Sequence, residues 1–182
     1  MKYLALLRGI NVGGKSKVSM VQLRACFESL GYRHVRTYIN SGNVIFETAA
    51  TNTSKLRTEI EACLKSEFGF ELQIVLLDSM RYKKAIDSAP HWWGRDSSWK
   101  HNALFLIEPY DVGEVVAAVG DLKPSIEALY PGDGVLFQSL EFSKFGQTTT
   151  GKLASNPIYK KITIRNYNTT QKLLQLLTAD ET

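Results

Sequence analysis

Gly9-Ile10-Asn11-Val12-Gly13-Gly14-Lys15-Ser16 satisfies the pattern G-x-x-x-x-G-K-[ST]. In that spacing a glycine-rich loop turns successive backbone N–H groups onto phosphates while its lysine meets the outer phosphate oxygens. Leu72 to Asp78 resembles the strand and aspartate that would hold the accompanying magnesium. The surroundings argue against the match. A phosphate loop enters its helix at the Lys-Ser pair, whereas the capping signal here, Ser19 with Gln22 three residues on, comes later. Such a loop also needs a parallel sheet, and the first predicted helix is followed instead by an antiparallel hairpin. The plain alternative is an exposed loop carrying Lys15 and Lys17.

Two further groups have the residue types of a binding site. Arg8 and Asn11 follow the first predicted strand, Ser41 and Asn43 sit at a hairpin tip, and Arg165, Asn166, Asn168 and Thr169 precede the last predicted helix. Guanidinium, amide and hydroxyl groups suit phosphate oxygens and base edges, and they equally suit hydrogen bonds between loops. The other group is His91-Trp92-Trp93-Gly94-Arg95 with Trp99 and Lys100. Aromatics mixed with cations can stack on bases or hold a partner, or the tryptophans can pin a long loop to the core.

Patterns that would name a reaction are missing. The sequence contains no G-x-S-x-G elbow, no H-E-x-x-H and no C-x-x-C, so whether the chain is an enzyme stays open at this point. His34, His91 and His101 are scattered along the chain, and neither a metal nor a cofactor is expected. Cys26 and Cys63, the two cysteines of the chain, each fall near the apolar face of a predicted helix and read as buried free thiols, with a disulfide or reactive pair as the alternative that no pattern supports.

Charge adds a direction. The net charge is +4 over 182 residues, but it is unevenly spread. Glu108 to Glu141 holds seven acids against Lys123 alone; Phe142 to Ala179 holds no acid against Lys144, Lys152, Lys160, Lys161, Arg165 and Lys172. A one-signed segment can focus anions, or be balanced in three dimensions by the acidic stretch before it. The longest apolar stretches, such as Ile74 to Leu77, are far short of the roughly 20 residues a membrane helix needs. The N-terminus lacks the form of a signal peptide. No membrane partner and a cytoplasmic location are the expectation.

These groups must be positioned by regular elements, and the periodicity supplies them. Tyr3 to Leu7 reads as a strand. Met20, Leu23, Phe27 and Leu30 recur at helical spacing before Gly31. Val35 to Ile39 and Val44 to Phe46 flank Asn40-Ser41-Gly42-Asn43 as a hairpin. Leu56, Ile60 and Leu64 mark a second helix from about Thr53 to Phe68, and Leu72 to Leu77 closes the set as a strand. That order is β-α-β-β-α-β, with helices covering one face of an antiparallel sheet. The theme returns with Ala103 to Ile107, a helix capped by Asp111 and Glu114, and a hairpin around Pro131-Gly132-Asp133-Gly134. A helix from Lys152 to about Tyr159, troubled by Pro157, a strand at Ile162 to Ile164 and a last helix capped by Asn168 or Thr169 complete it. The interval from Ser19 to Asp111 nearly equals that from Val44 to Val135, the spacing of a duplication. The expected class is therefore α+β: two ferredoxin-like halves, 1–78 and 101–182, joined by a helix and Trp-rich loop over 79–100 and packed as one compact unit, with the basic segment in the second half.

Leu7-Arg8-Gly9-Ile10-Asn11-Val12-Gly13-Gly14, then Thr37-Tyr38-Ile39-Asn40-Ser41-Gly42-Asn43-Val44-Ile45-Phe46, resemble the bacterial domain-of-unknown-function family DUF1697. Ser143-Lys144-Phe145 and the terminal Arg165-Asn166-Tyr167-Asn168-Thr169 with Lys172 and Leu173 resemble the end of that family's domain. The resemblance implies a duplicated ferredoxin-like fold and carries no activity, cofactor or catalytic residue with it. Asn40 stands where many relatives have glutamine, and the Lys-Ser after Gly14 is not typical of the family. The leading expectation is a protein that binds a phosphate-bearing ligand, a nucleotide or nucleic acid. Arg8, Asn11, Lys144, Arg165 and Lys172 would supply charge and amide contacts, and Ser41, Asn43, Asn166, Asn168 and Thr169 would help orient the ligand. The alternatives are an enzyme acting on a phosphorylated small molecule, and a protein-interaction module built on Trp92, Trp93 and Trp99.

Overall fold

The computed structural model describes residues 1–13 and 16–179. Gly14 and Lys15 of the phosphate-loop pattern lie outside them. By contacts the chain divides into two units, Met1–Tyr82 with the last helix from Leu173, and Lys83–Lys172.

The first unit follows the sequence pattern closely. β1 (Lys2–Leu7), α1 (Met20–Ser29), β2 (Arg33–Tyr38), β3 (Asn43–Glu47), α2 (Thr53–Phe68) and β4 (Ile74–Asp78) build a four-stranded sheet in the order β2-β3-β1-β4. Every pairing in it is antiparallel, the opposite of what a phosphate loop requires. Strand alternation sends Tyr3, Ala5 and Leu7 to the side where Leu23, Phe27, Leu56, Ile60 and Leu64 of the two helices bury completely or nearly so. Leu4, Leu6 and Val75 bury on the other side. Ser19 caps α1 through its hydroxyl, and Gly69 ends α2 in the left-handed conformation at φ +75°. The first predicted hairpin strand ends one residue early. Ile39 lies in the turn at φ +48°, a conformation a β-branched side chain rarely adopts.

After α3 (Ser79–Asp87), the second unit repeats the order with β5 (Trp99–Leu106), α4 (Val112–Val119), β6 (Glu127–Pro131), β7 (Val135–Glu141) and β8 (Ile162–Asn166), its sheet running β6-β7-β5-β8. The two sheets thus have matching strand orders, and the fold is the duplicated ferredoxin-like α+β arrangement. Asp111 and Glu114 form a full capping box on α4, which offsets the weak helix propensity of its valines.

The halves differ where the second helix of the repeat would lie. The helix expected over Lys152 to Tyr159 is absent; three 3-10 turns, Phe142–Gln147, Thr150–Ser155 and Pro157–Lys161, take its place. The cause is local. The Thr148 hydroxyl donates to the Phe145 carbonyl (2.7 Å) and accepts from the Gly151 N–H (3.0 Å), and Asn156 caps Ile158 (2.9 Å) beside Pro157. Short polar side chains that satisfy the backbone in this way compete with an α-helix. α5 (Tyr167–Thr178) is capped by Asn166, whose side-chain oxygen accepts from Thr169 N–H at 2.8 Å, rather than by Asn168 or Thr169.

A buried carboxylate fixes the 3-10 segment. Glu127 is 1% exposed. It accepts from the N–H groups of Lys123 (3.0 Å), Thr149 (2.8 Å) and Thr150 (2.9 Å) and from the Thr150 hydroxyl (2.7 Å). Burial pushes its pKa up, but the hydrogen bonds from Thr150, Thr149 and Lys123 outweigh burial and hold it below the ordinary value. A carboxyl with a depressed folded-state pKa stabilises the fold above its unfolded value of about 4.3, and the contribution disappears as pH falls through the folded value. Glu127→Gln turns an amide NH2 against N–H donors, so urea denaturation should show a loss of about 2 kcal/mol at pH 7. The difference between variant and parent should shrink as pH drops below about 4. Equal urea midpoints at pH 7 would refute the assignment.

Candidate functional site

In the first unit, the structure gathers Arg8, Asn11, Ser41 and Asn43 at one end of the sheet. The loop after β1 and the β2–β3 turn are laced together. Leu7 N–H donates to Gly42 O at 2.8 Å, and the Asn11 side-chain NH2 donates to both Asn40 O and Val18 O at 3.0 Å. Asn11 Oδ1 accepts from Val18 N–H at 2.9 Å. One amide therefore ties the turn, the loop and the approach to α1. Asn43 is fully buried and donates to Tyr38 O (2.9 Å) and the Ser41 hydroxyl (3.0 Å), closing the hairpin from within. Arg8 is half-buried, and its backbone N–H pairs with Gln73 O at 3.1 Å. Gly9, Asn11, Gly13, Ile39 and Gly42 all have positive φ. Val12 and Ile39 remain exposed at the tips of the two loops. These signature residues give the end of the sheet its shape, and the asparagine side chains face backbone.

In the second unit, Arg165 is 5% exposed, and its Nη1 donates to the Thr163 hydroxyl (2.9 Å) and Ile164 O (2.8 Å). Asn166 serves as the cap already described, and Thr169 is buried. Asn168 and Lys172 stand in solvent on α5. Lys144 belongs to a separate 3-10 turn, where it is exposed and pairs with Glu141 at 3.0 Å.

Of the tryptophans, Trp93 is buried. It meets Phe137 and Tyr167 edge to face, at 4.8 and 4.9 Å between centroids, and donates from Nε1 to Asn102 O at 3.1 Å. A Cβ on Gly94 would enter the Tyr167 ring, so the dipeptide is shaped for this contact. Trp92 and Trp99 are half-buried.

Three arrangements escape sequence reasoning because they depend on strand register or on a turn. His101 stands opposite Ser139 across β5 and β7, with Nδ1 at 2.6 Å from the hydroxyl and Nε2 at 2.8 Å from the Asp96 carbonyl. The contact is that of a base and nucleophile, but Ser139 is 2% exposed, so a substrate carbonyl has no approach to its oxygen. Beside it, the Ser98 hydroxyl and N–H hold the Asp96 carboxyl below its usual range. Asn102 and Gln138, also directly opposed, form a buried amide pair at 2.8 Å.

The third arrangement is on the surface. Phe142 is 73% exposed and Phe145 45%. They lie three residues apart in the Phe142–Gln147 segment, on either side of a kink at Lys144 (φ −114°, ψ 15°). Lys100 Nζ stands 5.5 Å from the centre of the Phe145 ring. Phe142 N–H donates to Ser98 O at 3.2 Å, which anchors the start of the turn. The only sequence signal is that both phenylalanines fall in a segment without a helical stripe.

Residues 1–137 match a protein family described as a protein of unknown function, DUF1697. The match ends before the basic segment. No curated protein matches the chain. The chain is also similar to the solved structure of the conserved bacterial protein SP0830 from Streptococcus pneumoniae, at 35% identity and a TM-score of 0.86 over 97% of this chain and 98% of that one.

The coupled loops give a stability test. Gly42 has φ +76°, and a Cβ there would lie 2.7 Å from Leu7 Cβ and 2.8 Å from Ile10 Cδ1; Gly31 has φ +80° with nothing within 4 Å. Both Gly→Ala changes incur the left-handed strain of about 1 kcal/mol, but only Gly42→Ala adds overpacking, for a total of about 3 kcal/mol. Equal losses in urea denaturation would show that the turn does not press on the loop.

Proposed function

This chain belongs to the DUF1697 family, and we propose that it is a cytoplasmic protein that binds single-stranded nucleic acid through its second unit. The observation that carries this reading is that Phe142 and Phe145 are both exposed, with Lys100 over the Phe145 ring and Lys144 between them in the chain. Large aromatic rings do not stand in water without cost. Rings interleaved with cations are what a stacked base and its phosphate need.

Charge supports the same reading. Lys144 lies between the two phenylalanines in sequence, and exposed Lys152, Lys160 and Lys172 extend the cationic run through a segment, Phe142 to Ala179, that holds no acid. Among the described residues of that segment, Arg165 is turned inward onto Thr163 and Ile164. In this reading it shapes β8, while the lysines meet phosphate. The ligand is a polymer rather than a mononucleotide because the cations are spread along the chain instead of converging on one point. Lysine, a point charge on a flexible stem, suits sequence-tolerant phosphate contact.

Fluorescence anisotropy of a labelled single-stranded RNA or DNA at low salt tests it. Affinity should fall as salt rises, with a slope of about 0.7 per phosphate contacted. Each base–ring stack contributes ~1–3 kcal/mol, so Phe142→Ala with Phe145→Ala should weaken binding at least about tenfold. Absence of binding at low salt, or full affinity in the double variant, sinks the proposal.

A further inference from the structure

The free-thiol reading of the cysteines does not survive the structure. Cys26 on α1 and Cys63 on α2 are joined as a disulfide, with their Cα atoms 6.3 Å apart, inside the range of roughly 4.4–6.8 Å that a bridge spans without backbone movement. The sequence offers the pair only as an unsupported alternative because 37 residues separate the two positions. Only the side-by-side placement of the two helices over the first sheet brings them together.

The two sulfurs are not equivalent. Cys26 is buried at 5% exposure, on the inward side of α1 beside Phe27, whereas Cys63 is half-buried and lies at the margin of the core. Around them, the Ser29 hydroxyl donates to Cys26 O at 2.8 Å and lies 3.8 Å from Cys63 Sγ. A hydroxyl therefore stands within reach of the outer sulfur. The helices do not depend on the bond for their packing: Leu23, Phe27, Leu56, Ile60 and Leu64 bury between them and the sheet. A bridge over a core that is already closed can open without unfolding what it spans.

We propose that Cys26 and Cys63 form a thiol–disulfide exchange site, entered at Cys63 by a small thiol of the glutathione class. The thiolate of the small molecule attacks Cys63 Sγ, and a new S–S bond forms as the Cys63–Cys26 bond breaks. The electron pair leaves on Cys26, which takes a proton from solvent. A second small thiolate then attacks the sulfur of the bound small molecule, releasing Cys63 as a thiolate and the small molecule as its own disulfide. Two protein thiols are gained for two small thiols oxidised. The reverse sequence, driven by the small disulfide, restores the bridge. The site is in the first unit and stands apart from the nucleic-acid reading of the second.

The test is alkylation and intact mass measurement of the full chain after equilibration in glutathione buffers of graded reduced-to-oxidised ratio. The expected result is passage between bridged and dithiol forms within that series, with the far-ultraviolet circular dichroism unchanged. Cys26→Ser should acquire one glutathionyl group from oxidised glutathione at least ~10-fold faster than Cys63→Ser does. Peptide mapping of the mixed disulfide trapped from the unsubstituted chain, which needs no variant to fold, should place it on Cys63. The proposal is overturned if the bridge persists in excess reduced glutathione, if it never forms in oxidised glutathione, or if the trapped adduct maps to Cys26.

Discussion

A carboxylate removed from water must find donors, and Glu127 finds them in the backbone of Lys123, Thr149 and Thr150. That requirement holds the second unit together where its repeat breaks. An α-helix carries a continuous apolar stripe with which to dock; three short 3-10 turns do not. Leu153 is buried in the middle turn, but the other two have no fully buried residue. The charge of Glu127 replaces the missing stripe as the anchor. The segment is thereby held from its middle, and its first turn is left to present Phe142 and Phe145 outward.

How much of this can be read from the letters depends on the range over which each interaction acts. Period and capping act within one turn of helix, so α1 with Ser19, α2 with Gly69 and α4 with Asp111 are all legible, as is the element order of the first unit. Pro157 troubles the helix expected over Lys152 to Tyr159, but Glu127 lies too far off in sequence to say what steadies the turns that replace it. Cross-strand partners are invisible without register, which hides His101 with Ser139 and Asn102 with Gln138. The cysteines illustrate the same limit on the helix layer: each apolar stripe was visible separately, and their mutual approach was not.

Side chains that could serve a ligand pose a different difficulty. An amide in a loop can face outward or bridge backbone, and both fates have the same composition. Asn11 and Asn43 take the second, because the β1 loop and the β2–β3 turn come close enough to need donors. Glycine and asparagine there satisfy a cluster of positive φ angles and a narrow gap, constraints that hold whatever the molecule binds. The phenylalanine pair meets no such internal demand.

The first unit is finished by a piece of chain from beyond the second. Lys2 reaches the carbonyl of Ala179 at 3.0 Å, and the helix from Leu173 onward groups with Met1–Tyr82. During synthesis β1 to β4 leave the ribosome well before the helix that completes their unit. The opening segment therefore waits incomplete while every strand of the second unit is made, and the assembly of the one is timed by the synthesis of the other.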